Sequence, residues 1–106
     1  MFARFLELTV KPEKKFEMMR KIKEEIVPIL KKNTGFFDLL PLEVENEPTK
    51  FYAVSLWYEK ADIDKYHRDH FPKVKQILEP FLTEPMVAKV CKVDSTIPEK
   101  FITVAA

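Results

Sequence analysis

The sequence has one cysteine and one glycine in 106 residues. A lone Cys91 excludes an intrachain disulfide and any cluster of thiolate ligands. A lone Gly35 excludes the phosphate-cradling loops, which need several glycines where the backbone closes on the phosphates. Nucleotide or dinucleotide binding of that kind is therefore not expected. An excess of one charge is also missing. The 18 basic and 17 acidic residues leave a formal charge of +1, so no long-range field gathers nucleic acid or an acidic membrane. No apolar run approaches the roughly 20 residues of a membrane span. The opening Met1 to Val10 carries Arg4 and Glu7, unlike a secretory leader. These absences predict a cytoplasmic protein with no nucleic-acid partner and no membrane partner.

What is present is enough for one core. Hydrophobic residues make up 46% of the chain, which argues against global disorder and for a single domain over 1–106, with 94–106 as a C-terminal tail. Phe2 to Val10 is rich in strand formers. Pro12 suits a first helical turn, and Phe16, Met19, Ile22, Ile26, Ile29 and Leu30 recur at helical spacing, with a kink or end expected at Pro28. Gly35 ends this helix. Phe36 to Val44 forms a second strand, with a bulge or unpaired position expected at Pro41. A turn at Asn46 to Thr49 leads to a third strand, Phe51 to Tyr58. Helices follow from Ala61 to about Arg68 and from Pro72 onward, then a strand from Met86 to Val93 and a short final strand at Phe101 to Val104. The order βαββαβ predicts an α+β fold of the ferredoxin-like kind, a four-stranded antiparallel sheet with helices on one face.

A sheet with one wet face should alternate apolar and polar residues. These strands do not. Leu40, Leu42 and Val44 oppose Phe37, Leu39 and Pro41; Phe51, Ala53 and Trp57 oppose Tyr52, Val54 and Leu56; Met86, Ala88 and Val90 oppose Val87, Cys91 and Val93. Helices cover one face only, and the other would exceed the apolar patch a monomer tolerates. A twofold homodimer pairing two sheets face to face, a dimeric α+β barrel, removes it. The rival is a monomer whose tail crosses that face.

Chemistry-bearing residues cluster after the third strand. Trp57 offers an apolar wall with one N–H, and His67 and His70 follow on the next helix with Tyr66 and Phe71 beside them. Ala53 and Ser55 share the strand face of Trp57, and their small size leaves room for a ligand under the helices. Spacing alone favours a core tryptophan and two surface imidazoles. His67 and His70, one turn apart with Asp64 and Asp69 nearby, have a spacing that could ligate a metal, but two such histidines recur by chance and no metal is expected. Cys91, mid-strand with no nearby cation, reads as a buried inert thiol.

The segments Thr34-Gly35-Phe36-Phe37, Phe51 through Trp57-Tyr58-Glu59-Lys60, and Tyr66-His67-Arg68-Asp69-His70-Phe71, with the opening Val10-Lys11-Pro12-Glu13, resemble the antibiotic biosynthesis monooxygenase family of the dimeric α+β barrel superfamily. The resemblance spans roughly residues 2 to 93. It implies a homodimer with one pocket per subunit between sheet and helices, and oxidation of a small aromatic phenol or quinol by molecular oxygen without metal or flavin. It also implies that Trp57 lines the pocket and that His67 or His70 binds the substrate oxygen or shuttles a proton. Ser55, Ala53, Tyr66 and Phe71 complete the expected substrate-binding set. Relatives often place an asparagine within a strand, whereas Asn33 and Asn46 both fall in predicted turns here. Two alternatives stand beside the enzyme: a non-catalytic dimer binding a small ligand in the same pocket, and a haem-binding or haem-degrading relative with His67 or His70 as axial ligand.

Overall fold

The structure, a computed structural model, describes residues 1–94. Strand β1 runs over Phe2–Thr9, β2 over Phe36–Glu43, β3 over Lys50–Trp57 and β4 over Val87–Lys92. They form one antiparallel sheet in the order β2-β3-β1-β4. Helices α1 (Lys15–Lys21) and α2 (Val27–Lys31) connect β1 to β2, and α3 (Lys60–Asp69) and α4 (Phe71–Leu78) connect β3 to β4. This is the ferredoxin-like α+β arrangement expected from the element order. The tail strand expected at Phe101 to Val104 lies outside the described residues.

The hydrophobic period fixes which side of each element is dry. Side chains alternate across a strand, so Leu6, Leu8 and Val10 of the first strand face the helices together with Phe51 and Trp57 of β3, all buried. Met18, Ile22, Ile26 and Leu30 close the core from the first helical layer, and Ile63, Tyr66, Phe71, Val74 and Leu78 close it from the second. Gly35, at φ +83°, makes the turn into β2 beneath Asp62, where a Cβ would fall on the Asp62 carboxylate. Its carbonyl accepts the Tyr58 N–H at 2.9 Å, fixing the start of β2 to the end of β3.

Several details depart from the sequence reading. The irregularity expected at Pro28 takes the form of an interruption just before it, not an end of the helix. A π-helical turn over Ile22–Ile26 joins α1 to α2, widening the helix just before the proline ring. Phe16, assigned to the apolar stripe, is 83% exposed, and Met18 holds the buried position instead. The irregularity of β2 falls between Phe36 and Asp38 rather than at Pro41, which pairs with Ala53. Pro41 is tolerated because, among the described strands, β2 lies at the edge of the sheet. The bulge removes Phe37 from the face of Leu39 and sets it edge-on against Tyr58, ring centroids 5.4 Å apart.

Among the described residues no helix lies over the second sheet face. Phe5, Tyr52, Val54 and Leu56 form its centre, with Leu40, Leu42 and Val87 exposed at its sides. Cys91 lies on the same face and is exposed rather than buried, because β4 is the other edge strand and is uncovered along its length. Within the described residues, this face is interrupted by Asp38, paired with Leu56, by Lys89, paired with Phe5, and by Lys50, whose ammonium meets Glu7 Oε1 at 3.1 Å and Thr9 Oγ1 at 2.9 Å. The Glu7 hydrogen bond holds the Lys50 ammonium above its ordinary range.

Candidate functional site

A cavity of about 40 Å³ lies between the sheet and the helices, room for roughly three water molecules. Its floor comes from two adjacent cross-strand rows. In one, Arg4 pairs with Ser55, which pairs with Leu39; in the next, Leu6 pairs with Ala53. Ala53 and Ser55 are too small to reach the helices, and this leaves the space. Ile22 and Ile26 of the π-helical turn, with Leu30, Tyr66, Phe71, Val74 and Leu78, form the roof and sides. Leu6 and Phe71 also line an adjoining cleft of about 520 Å³ that extends along Lys75, Glu79 and Met86. A ligand larger than the cavity would therefore extend past these two side chains into the cleft.

Three polar side chains line the cavity: Arg4, Ser55 and Tyr66. Arg4 is only 4% exposed. Its Nη1 donates to His67 Nδ1 at 3.0 Å, and its guanidinium carbon lies 4.1 Å from the centre of the Phe71 ring and 5.6 Å from that of Tyr66. Its Nη2 is buried with no hydrogen-bond partner, and among the described residues no carboxylate forms an ion pair with it. Burial lowers the Arg4 pKa, and interaction with Tyr66 partly opposes this. Burial also pushes the Tyr66 phenol up to about 12, against the pull of Arg4, so it stays protonated at neutral pH. Ser55 Oγ accepts the indole N–H of Trp57 at 2.8 Å, which leaves its own hydroxyl proton free to donate. All three groups thus offer donors to the cavity, and none of them accepts a proton readily at neutral pH.

The residues singled out from sequence divide into three groups. Ala53, Ser55, Tyr66 and Phe71 line the cavity. Trp57 is fully buried and stands one side chain behind the wall: it holds Ser55 by the hydrogen bond and packs on Tyr66 with ring centroids 5.2 Å apart. His67 and His70 are exposed on the outer side of the second helical layer. His67 stacks on Phe71 at 5.2 Å and accepts from Arg4; because a guanidinium only donates, the His67 proton sits on Nε2. His70 occupies the junction between α3 and α4, where its backbone N–H bonds the Tyr66 carbonyl at 2.8 Å.

Among the described residues neither imidazole belongs to the wall of the cavity or of the adjoining cleft, so neither space offers a histidine as axial ligand to haem. Among the described residues no three His, Cys, Asp or Glu side chains converge where a metal could sit. Asp64 bonds Lys60 at 3.2 Å and Asp69 bonds Arg68 at 2.8 Å. No helix among the described residues is long and apolar enough to cross a membrane.

Arg4 was missed in the sequence. The signal was its parity: it shares the inward side of β1 with Leu6, Leu8 and Val10, and a cation in that row is out of place.

Comparison with known proteins gives the fold a context. No family model matches the chain, and no curated protein matches it. Solved structures do. A monooxygenase from ActVA-Orf6 of Streptomyces coelicolor, solved with nanaomycin D, superposes with a TM-score of 0.76 at 14% identity, covering 92% of this chain and 90% of that one. A conserved protein from Methanosarcina mazei gives 0.74 at 24% identity, over 89% and 94% of the two chains. A Nitrosomonas europaea protein of unknown function gives 0.69 at 14% identity, over 92% and 93%. Further matching structures carry the name antibiotic biosynthesis monooxygenase. The chain has the α+β fold of these proteins, and at such identities the likeness establishes the fold alone.

Proposed function

We propose that the chain is a cofactor-independent, monooxygenase-like protein that acts on a small aromatic phenol or quinol held between sheet and helices. The observation that carries this reading is a donor-rich polar set, the guanidinium of Arg4 with the hydroxyls of Ser55 and Tyr66, in an otherwise apolar cavity. Such a set complements an electron-rich oxygen on a hydrophobic ring and strengthens as negative charge develops there. The fold is shared with a monooxygenase solved with nanaomycin D. At about 40 Å³ the cavity is smaller than the roughly 150 Å³ that encloses a benzene ring, so a bound ring would reach past Leu6 and Phe71 into the cleft. In the balanced reaction a phenol and one oxygen molecule give a quinone and water, the phenol supplying all four electrons. Trp57 acts as a positioning residue through Ser55 and Tyr66, and His67 positions the Arg4 guanidinium. Oxygen uptake with a panel of phenols and hydroquinones tests the reading. One oxygen consumed per phenol, slowed by Ser55→Ala and Tyr66→Phe, supports it; no uptake across the panel refutes catalysis.

A second reading has an observation of its own. No side chain of the cavity wall is a ready proton acceptor, so the site could bind without turning over. Thermal stabilisation by phenols without oxygen uptake identifies such a non-catalytic binding protein.

We further infer a single domain that works as a homodimer in the cytoplasm. Among the described residues, the face without helices carries exposed Leu40, Leu42 and Val87 beside half-buried Phe5 and Tyr52, an apolar patch that a second copy across a twofold axis would cover. Sedimentation at micromolar concentration should give twice the chain mass of 12.5 kDa. A species at the mass of one chain refutes the dimer.

A further inference from the structure

We propose that the cavity selects a ligand bearing a full negative charge on oxygen, and that Arg4 is the residue that recognises it. This rests on the reading of the cavity as a ligand site and adds the charge of its occupant. A guanidinium is seldom taken out of water without a carboxylate, since burying an uncompensated ion costs several kcal/mol. Here the side chain is buried in the cavity wall, Nη2 has no partner, and the nearest groups are aromatic rings, a serine hydroxyl and an imidazole nitrogen. His67 and Phe71 fix its orientation, the first through Nη1 and the second from below the guanidinium plane.

With Nη1 committed, Nη2 meets a single oxygen, and the hydroxyl protons of Ser55 and Tyr66 are further donors in the same wall. The other cavity side chains are hydrocarbon, and none of them is acidic. The occupant that completes this set is a small ring carrying one anionic oxygen, as a phenolate or as one arm of a carboxylate. A neutral ring of equal shape could accept from Nη2 but would leave the guanidinium charge uncompensated.

Calorimetric titration of the full chain with benzoate, benzamide and 4-nitrophenol tests this. Benzoate should bind about ten- to a hundredfold more tightly than its neutral isostere benzamide. If the phenolate is the preferred source of the anion, bound 4-nitrophenol should show the phenolate absorption band at a pH where the free compound is protonated, and should outbind benzoate. Arg4→Met should abolish the preference for the anion, bringing the benzoate to benzamide ratio to about one, and Arg4→Lys should restore part of it. If Arg4→Met fails to fold, the benzoate to benzamide ratio in the unaltered protein decides alone. Equal binding of benzoate and benzamide overturns the proposal while the ligand cavity stands. Failure of every ring compound to bind overturns the cavity reading and the charge selection together.

Discussion

Replacing Arg4 by Met in the ligand-free protein should make it more stable, because the native residue holds a cation where nothing compensates it. The magnitude follows from the contacts. Removing the guanidinium relieves a desolvation cost of several kcal/mol per ion after relaxation, including about 1–3 kcal/mol for the unmet Nη2 donor. Against this stands the stacking over Phe71 at 4.1 Å, worth about 0.5–2 kcal/mol. The hydrogen bond to His67 is lost at little cost, since that imidazole is exposed and can turn to water. Methionine keeps most of the apolar stem and fills irregular space well. The net expectation is a gain of about 1–2 kcal/mol. For a domain of this size, each kcal/mol raises Tm by roughly 4–8 °C. Urea unfolding followed by Trp57 fluorescence, at one fixed protomer concentration, measures it. A midpoint that falls by more than about 1 kcal/mol equivalent would mean that Arg4 is a structural anchor, and the argument from an uncompensated cation would fail.

Three further outcomes are expected. Gly35→Ala should destabilise the chain by more than about 1–2 kcal/mol, the cost of the left-handed backbone alone, because its Cβ also displaces the Asp62 carboxylate; a change within about 0.5 kcal/mol by chemical unfolding would contradict this. Tyr66 binds its proton more tightly folded than unfolded, so its contribution is complete below about pH 10 and is lost as pH rises through about 12, a loss of about 2–3 kcal/mol. Tyr66→Phe should therefore flatten the alkaline end of the stability curve, and an unchanged curve counts against the assignment. Leu42→Glu, on the uncovered face and 45% exposed, should leave the monomer fold within about 0.5 kcal/mol yet halve the sedimenting mass; an unchanged mass places the dimer contact elsewhere.

The element order and the doubly apolar sheet were legible because both rest on period, and period survives small errors of register. Phe2, Leu6 and Leu8 announce β1 whether it ends at Thr9 or at Val10. What failed was local and depended on neighbours in space. Phe16 has the helical spacing of a core residue, but the stripe that meets the sheet runs through Met18, Ile22, Ile26 and Leu30 at four-residue spacing, and Phe16, two residues before Met18 in the same helix, falls on the other side. Cys91 looked buried because mid-strand cysteines usually are, and the sequence does not say that β4 lies at an edge. The bulge at Phe37 was misplaced to Pro41 because proline is the visible irregularity, whereas an edge strand accommodates proline without one.

The site was legible where it is made of size and hidden where it is made of charge. Ala53 and Ser55 marked the space because small residues amid Phe51 and Trp57 are conspicuous along one strand face. The histidines drew attention by type, yet an imidazole acts through what it touches, and His67 reaches the cavity wall only by way of Arg4. Arg4 sits 63 residues from His67 in sequence and became visible only when the β1–β3 register placed it beside Ser55 and beneath Tyr66 and Phe71. An uncompensated cation in a dry wall lowers the stability of the empty protein, and a fold under no functional demand would have apolar residues throughout that row, as at Leu6, Leu8 and Val10. The position where the strand's own alternation is broken is therefore the one most strongly marked for binding.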